Sequence, residues 1–363
     1  MPEVLRVLYV DDEAATAQQA KDLYDESEIA GYKIEFDTVT DFDKAINQLS
    51  RSNYDIVILD VYQGKPALDN DNLKGKEVLE RIKATTPVTV IMYTALPAQV
   101  KDLKSPMVKV LSKAEDDLGK AIEREIESGI PAVKHRLLGH INSELTKYYW
   151  GFAEDKADLL ATTKDDHLFE YLVARSLAST LDGEGATKLF GGTIDSDNVH
   201  PWRMYIIPPS SNEASKMGQI VLKDGTYRIV LTPSCDFANN KAAYVLTALC
   251  DKLEGNQEVT RLLNRYKADT TNPGKKAELA QFLKSNTNDR HFFLPSVDIL
   301  DLPSLVIDLQ SISSIEISEL RNSYVVTAEL DTPYAQDLQA KFTRYNNRPG
   351  TPDIDTEHLI SNL

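Results

Sequence analysis

Five side chains in the first part of the chain could do chemistry together: Asp11, Asp12, Asp60, Thr94 and Lys113. Each stands at the end of an apolar run. Asp11 and Asp12 follow "VLRVLYV", Asp60 follows "IVIL", Thr94 closes "VTVIMYT" and Lys113 closes "MVKVLSK". Asp60 is the instructive member. Apolar residues run from Ile56 to Leu59, stop at this carboxylate and resume after it, and a charge at the end of a strand buried on both faces is costly unless something needs it. Three carboxylates offer hard oxygen ligands for an octahedral Mg²⁺, which keeps several waters and takes phosphoryl oxygens as its remaining ligands. The metal offsets the repulsion among the carboxylates and the charge of an incoming group. Asp60 can then act as a nucleophile toward phosphorus and become an aspartyl phosphate. The Lys113 ammonium and the Thr94 hydroxyl suit phosphoryl oxygens.

Such a set works only if the fold gathers it on one edge. Four short apolar runs, Val4 to Val10, Asp55 to Asp60, Val88 to Thr94 and Met107 to Lys113, read as strands, with a weaker one at Tyr32 to Val39. Helical periodicity fills Ala14 to Ser27, Phe42 to Ser50, Lys74 to Ala84 and Glu115 to Ser128. Parallel neighbours need crossovers, and crossovers cover both faces, so the pattern predicts an α/β domain with a doubly wound, five-stranded parallel sheet. That architecture binds ligands at the carboxyl ends of its strands, where all five residues fall.

With "YVDDE", "ILDVY", "MYTA" and "LSK" in this order, the first 128 residues resemble the flavodoxin-like receiver domain of two-component response regulators. The resemblance implies Asp60 as the phosphoacceptor, Asp11 and Asp12 as the acidic metal pair, Thr94 as the switch hydroxyl and Lys113 as the phosphoryl-contacting lysine. It also implies the backbone carbonyl of Tyr62 as a further Mg²⁺ ligand, and a histidine kinase or phosphotransfer protein as the partner that delivers the phosphoryl group.

Three departures from the family pattern stand out. The stretch "VYQGKPALDNDNLK" after Asp60 is long, and its Asp69, Asn70, Asp71 and Asn72 read most simply as a polar loop tip. Ala114 follows Lys113 where receivers usually carry proline, so a cis bond is not expected there. Val110 occupies the place of an aromatic switch residue, so a signal must pass through Thr94, the long loop or the last helix. Tyr93 is near, but alternation points it away from the Thr94 face.

Bulk composition narrows the classes. Formal net charge is −16, from 56 acidic and 40 basic side chains, which disfavours broad nucleic-acid binding without excluding a local basic patch. Two cysteines, Cys235 and Cys250, are too few for a disulfide framework and suit a reducing compartment. No run is long and apolar enough for a membrane helix, and "MPEVLRVLYVDDE" lacks signal-peptide anatomy, so a cytoplasmic protein is expected.

Beyond Ser128, "GIP" punctuates the chain and helical periodicity resumes. Residues 129–182 read as a helical connector that could serve as a homodimer face or equally pack on its own second domain; His135, His140 and His167 in it read as surface or core histidines rather than metal ligands. Residues 183–363 change texture. "RMYIIPP", "GQIVLKDGTYRIVLTPSCD", "AAYVLTALCD", "HFFLPSV", "SLVIDLQSI" and "SYVVTAELD" read as strands, Asp224-Gly225 as a hairpin turn, Asn256 to Ser285 as helical and "PYAQDLQAKFTRY" as a closing helix. The prediction is an α+β, barrel-like effector domain of unknown type. It shows no Gly-rich phosphate loop and no zinc quartet. The echo "VLTPSCD"/"VLTALCD" would set the Cys235 and Cys250 Cys-Asp pairs face to face if the two strands are neighbours, and with His200 and His291 they could form a zinc or thiol site, but buried packing is the simpler role for them. The strand pair loosely resembles small toxin-nuclease barrels, with Arg344 and Arg348 as the nearest basic candidates.

The favoured expectation is therefore a phosphorylation-dependent response regulator with an atypical output domain. Two alternatives are a pseudo-receiver used only for protein interaction and a receiver-gated nuclease or hydrolase.

Overall fold

A computed structural model describes residues 3–64, 73–156, 167–191, 199–285, 288–348 and 354–362. They form two compact units, Met1–Ile194 and Asp195–Leu363.

In the first unit, strands β1 (Val4–Val10), β3 (Tyr32–Val39), β4 (Ile56–Leu59), β5 (Thr89–Thr94) and β6 (Val108–Ser112) are parallel in the order β3-β1-β4-β5-β6. A two-residue strand, β2 (Glu28–Ile29), adds an antiparallel edge beyond β3. This is the doubly wound order of the flavodoxin-like fold, with its switch point between β1 and β4. All four residues of β4 are buried, because helices lie on both sides. Alternation splits the strands cleanly. Leu8, Val10, Val57, Leu59, Val90 and Met92 pack toward α2 (Phe42–Arg51) and α3 (Lys74–Thr85). Val7, Tyr9, Ile56, Ile58 and Ile91 pack toward α1 (Ala14–Tyr24) and α4 (Leu118–Glu127). Asp41 caps α2 by accepting from the Asp43 and Lys44 amides, and Asp117 caps α4 by accepting from Lys120, which starts that helix three residues later than periodicity suggested. The link from β5 to β6 carries only a 3₁₀ segment, Pro97–Leu103.

Gly129, in the left-handed region at φ 77°, turns the chain from α4 into α5 (Ile130–Tyr148). The first turns of α5 dock on the amino end of the sheet. Lys134 Nζ donates to the Tyr54 carbonyl, the His135 ring lies 3.8 Å from the Asp55 carboxylate, and Arg136 reaches Glu3 at 3.4 Å. Helices α6 (Leu168–Thr180) and α7 (Gly183–Leu189) follow; His140 Nε2 is 2.9 Å from Thr180 Oγ1, which ties α5 to α6. The helical segment read as a connector thus lies within the first compact unit.

The second unit is built on a seven-stranded sheet whose described pairings are all antiparallel. Its strands are β7 (Tyr205–Ile206), β8 (Gln219–Lys223), β9 (Thr226–Val230), β10 (Tyr244–Lys252), β11 (His291–Leu294), β12 (Leu305–Glu316) and β13 (Val325–Leu330), in the order β11-β12-β10-β9-β8-β13-β7. Asp224 and Gly225, at φ 49° and 76°, close the β8–β9 hairpin with both central residues left-handed, as a type I′ turn requires. The predicted helical stretch divides into α9 (Gln257–Ala268) and α10 (Pro273–Leu283), following the short α8 (Ser234–Ala238). The division comes from Asn272, which caps α10 just ahead of Pro273. Short α11 (Ile317–Ser323) leads into β13, and the closing helix α12 (Tyr334–Asn346) buries Leu338 and Tyr345 in the main core; α13 (Thr356–Ile360) ends the described chain.

Candidate metal centre

The five residues identified from the sequence come from the ends of four strands, β1, β4, β5 and β6, and the residues just past them. Backbone ladder bonds extend into the site and fix it: Asp11 N–H donates to the Val39 carbonyl at 3.1 Å, Asp60 N–H to Val10 at 2.8 Å, and Lys113 N–H to Thr94 at 2.9 Å. Asp11, Asp12 and Asp60 each place a carboxylate oxygen within 4.8 Å of the others, the sole such acidic cluster among the described residues. Asp11 and Thr94 are fully buried, and Asp60 keeps 8% of its surface.

Lys113 spans the pair that most needs a cation. Its Nζ donates to Asp11 Oδ2 at 2.7 Å and to Asp60 Oδ2 at 2.8 Å. Burial pushes the Asp60 carboxyl above the usual carboxylate range, with Lys113 pulling the other way and the Asp11 charge adding to the rise. Burial would lower the Lys113 ammonium, but its hydrogen bonds to the two carboxylates outweigh this and hold it above its ordinary value. Asp60 Oδ1 accepts from the Val61 amide at 2.7 Å. Asp12 Oδ2 accepts from the Gly64 amide at 2.5 Å, which anchors the start of the long loop.

The donor set fits Mg²⁺. An ionised carboxylate offers about four lone-pair positions. The bonds described occupy three on Asp11, two on Asp60 and one on Asp12, so each carboxylate retains a free position for a hard cation.

Other expectations resolve as follows. Val110 is half-buried beside the α2/α3 core, and the Lys113–Ala114 bond is trans, the cis bonds of the described residues being Ile207–Pro208 and Thr332–Pro333. Tyr93 packs on the opposite face from Thr94, against the α1/α4 core. Asp69, Asn70, Asp71 and Asn72 lie outside the described residues. In the second unit, β9 and β10 do pair, but antiparallel, with Cys250 opposite Tyr227. Cys235 sits beyond the strand on α8, exposed, whereas Cys250 is buried, so the echoed sequences do not form one site. Burial pushes the Cys250 thiol far up, with the Arg228 charge pulling the other way and the Asp251 charge adding to the rise.

Three contributors escaped the sequence reading. Tyr9 donates its hydroxyl to Asp11 Oδ2 at 2.7 Å; strand alternation, which puts residues 9 and 11 on one face, was the available signal. Gly75 opens α3 against the Asp60 backbone, where an added Cβ would lie 2.2 Å from the Asp60 carbonyl oxygen. Gln99, on the 3₁₀ segment, accepts from the hydroxyl of buried Tyr62.

No family model matches the chain, and no curated protein matches it. Solved structures similar to it cover the N-terminal third. The response regulator protein TrrA from Thermotoga maritima, in complex with Mg²⁺-BeF, is 25% identical over 33% of this chain and 98% of that one, with a TM-score of 0.25. TrrA in complex with the histidine kinase ThkA is 26% identical over 33% and 97%, with a TM-score of 0.24. A CheY-like response regulator receiver domain protein from Methanospirillum hungatei is 15% identical over 37% and 98%, with a TM-score of 0.26. The strand order by itself defines the first unit as a flavodoxin-like fold.

Proposed function

We propose that the chain is a cytoplasmic, phosphorylation-dependent response regulator. Its first unit accepts a phosphoryl group on Asp60 in a Mg²⁺-dependent reaction and controls an atypical output unit. The observation that carries this reading is the single ammonium of Lys113 shared between Asp11 and Asp60 inside a three-carboxylate cluster.

The chain's own residues support the chemistry directly. An Asp60 carboxylate oxygen attacks phosphorus; the bond from phosphorus to the donor's leaving atom breaks, and that atom keeps the electron pair. With a phosphohistidine donor the imidazole leaves; with acetyl phosphate, acetate leaves. Ladder bonds hold the Asp60 backbone still, which favours attack from one fixed geometry. Lys113 is already at the acceptor oxygen and follows the transferred group as a counter-charge. Thr94 Oγ1, now accepting weakly from the Leu96 amide at 3.4 Å, is free to turn its hydrogen toward a phosphoryl oxygen. Asp11, Asp12, Asp60 and the Tyr62 carbonyl would hold Mg²⁺, which when bound supplies charge neutralisation to the phosphoryl oxygens.

TrrA, described in complex with a histidine kinase, supports a histidine kinase or phosphotransfer protein as the donor here. Beryllofluoride binding tests the reading. Fluorine NMR of the full chain with Mg²⁺ and beryllofluoride should show a bound signal in wild type, absent in Asp60→Asn; no bound signal in wild type would remove the proposal.

A further inference from the structure

We propose that Tyr9 is a positioning residue for Asp11, its buried hydroxyl pinning Oδ2 so that Oδ1 stays turned to the metal. The inference rests on the reading of this site as a Mg²⁺-dependent phosphoacceptor.

Asp11 receives three donors, unevenly. Oδ2 accepts from Tyr9 Oη and from Lys113 Nζ, each at 2.7 Å, whereas Oδ1 accepts only from the Glu13 amide at 2.9 Å. The open lone pair is therefore on Oδ1. The two donors on Oδ2 differ in permanence. Lys113 ends a flexible four-carbon stem, divides its charge between two carboxylates, and is drawn toward phosphoryl oxygens once they arrive. Tyr9 cannot follow. Its ring is 1% exposed, stacks on Phe36 at a centroid distance of 6.0 Å, and belongs to the core under α1 and α4. When Lys113 turns to the phosphoryl group, Tyr9 is the donor left on Oδ2. A hydrogen bond that orients a ligating carboxylate is conventionally worth tenfold or more in metal affinity.

The test is calorimetric titration of the full chain with Mg²⁺ alone, for wild type, Tyr9→Phe, Lys113→Met and the double variant, with a melting curve to verify each fold. Tyr9→Phe should weaken Mg²⁺ binding about tenfold. Lys113→Met should bind at least as tightly as wild type, since a competing cation has gone. The double variant should show the Tyr9→Phe loss again relative to Lys113→Met. Equal affinity of Tyr9→Phe and wild type, or no loss between Lys113→Met and the double variant, would overturn the positioning role. Absence of Mg²⁺ binding in wild type would instead overturn the phosphoacceptor reading beneath it.

Discussion

Gly75 and Asp60 touch backbone to backbone: the first turn of α3 lies so near β4 that a methyl group on Gly75 would lie 2.2 Å from the Asp60 carbonyl oxygen and 2.8 Å from Val61 Cα. The Gly75 amide donates to the Val61 carbonyl at 3.1 Å, so the contact also secures the first residues beyond the acceptor. The helix that follows the long loop is thereby held to the residue proposed to carry the phosphoryl group.

Gly75→Ala should therefore push α3 off β4. Overpacking of this kind costs about 1–3 kcal/mol. Hydrogen exchange of the β4 amides during a urea titration should show the loss, and phosphorylation should slow because the acceptor backbone has moved. Wild-type protection of β4 in the variant would show that the helix gives way without strain.

The Tyr62–Gln99 bond links the acceptor loop to the 3₁₀ segment that follows Thr94. It is a side-chain contact across the site in addition to the Lys113 bonds to Asp11 and Asp60. Tyr62→Phe keeps the buried ring and removes about 1 kcal/mol of hydrogen bonding. Amides of residues 97–103 should exchange about fivefold faster, by the factor that 1 kcal/mol implies. Unchanged exchange there would argue that packing alone holds the segment.

Asp60 contributes a pH dependence of definite sign. Its carboxyl titrates above the usual range in the folded chain because burial disfavours the charge. The folded state therefore binds the proton more tightly than the unfolded state does, and metal-free stability falls as pH rises from the unfolded carboxylate value through the folded one. Asp60→Asn, which cannot ionise, should melt a few degrees higher than wild type at pH 7 in EDTA, and Mg²⁺ should narrow the gap by stabilising wild type. A lower melting point for the variant in EDTA would mean that the pairing with Lys113 outweighs the burial cost.

The second unit gives the opposite case. Arg290 donates to Asp308 from Nε at 2.8 Å and Nη2 at 2.9 Å, and the buried carboxylate also accepts from Ser311 and the Gln310 amide. The Arg290 guanidinium, helped by the Ser311 and Gln310 donors, holds the Asp308 carboxyl far below its ordinary value against the opposing effect of burial. That stabilisation is present above the unfolded carboxylate pKa of about 3.9 and is lost as pH falls below it. Arg290→Ala should cost about 3 kcal/mol at pH 7, since it strands a buried charge, and less near pH 3. Exchange of β11 and β12 amides at the two pH values checks this; a cost that did not shrink in acid would assign it to lost packing.

Local pattern made much of this legible. Every strand of the first unit except two-residue β2 is legible as an apolar run, and the carboxylates that end two of them, with Thr94 and Lys113 ending two others, mark the site. Close approaches were hidden, because nothing in "GKEVLERI" says that its glycine faces the Asp60 carbonyl across a loop. Tyr9 was readable from alternation and was overlooked in favour of its charged neighbours. The Cys-Asp echo could not by itself give the geometry: β9 and β10 are neighbours, but the antiparallel register sets Cys250 opposite Tyr227 and leaves Cys235 beyond the strand end.

Acetyl phosphate with Mg²⁺ tests the central claim most directly, read by intact mass and then by peptide mapping of the full chain. Wild type should gain one phosphoryl group, mapped to Asp60, and should lose the modification in EDTA-treated reactions and in Asp60→Asn. An unmodified wild type, or a phosphoryl group that persists in Asp60→Asn, would contradict the account.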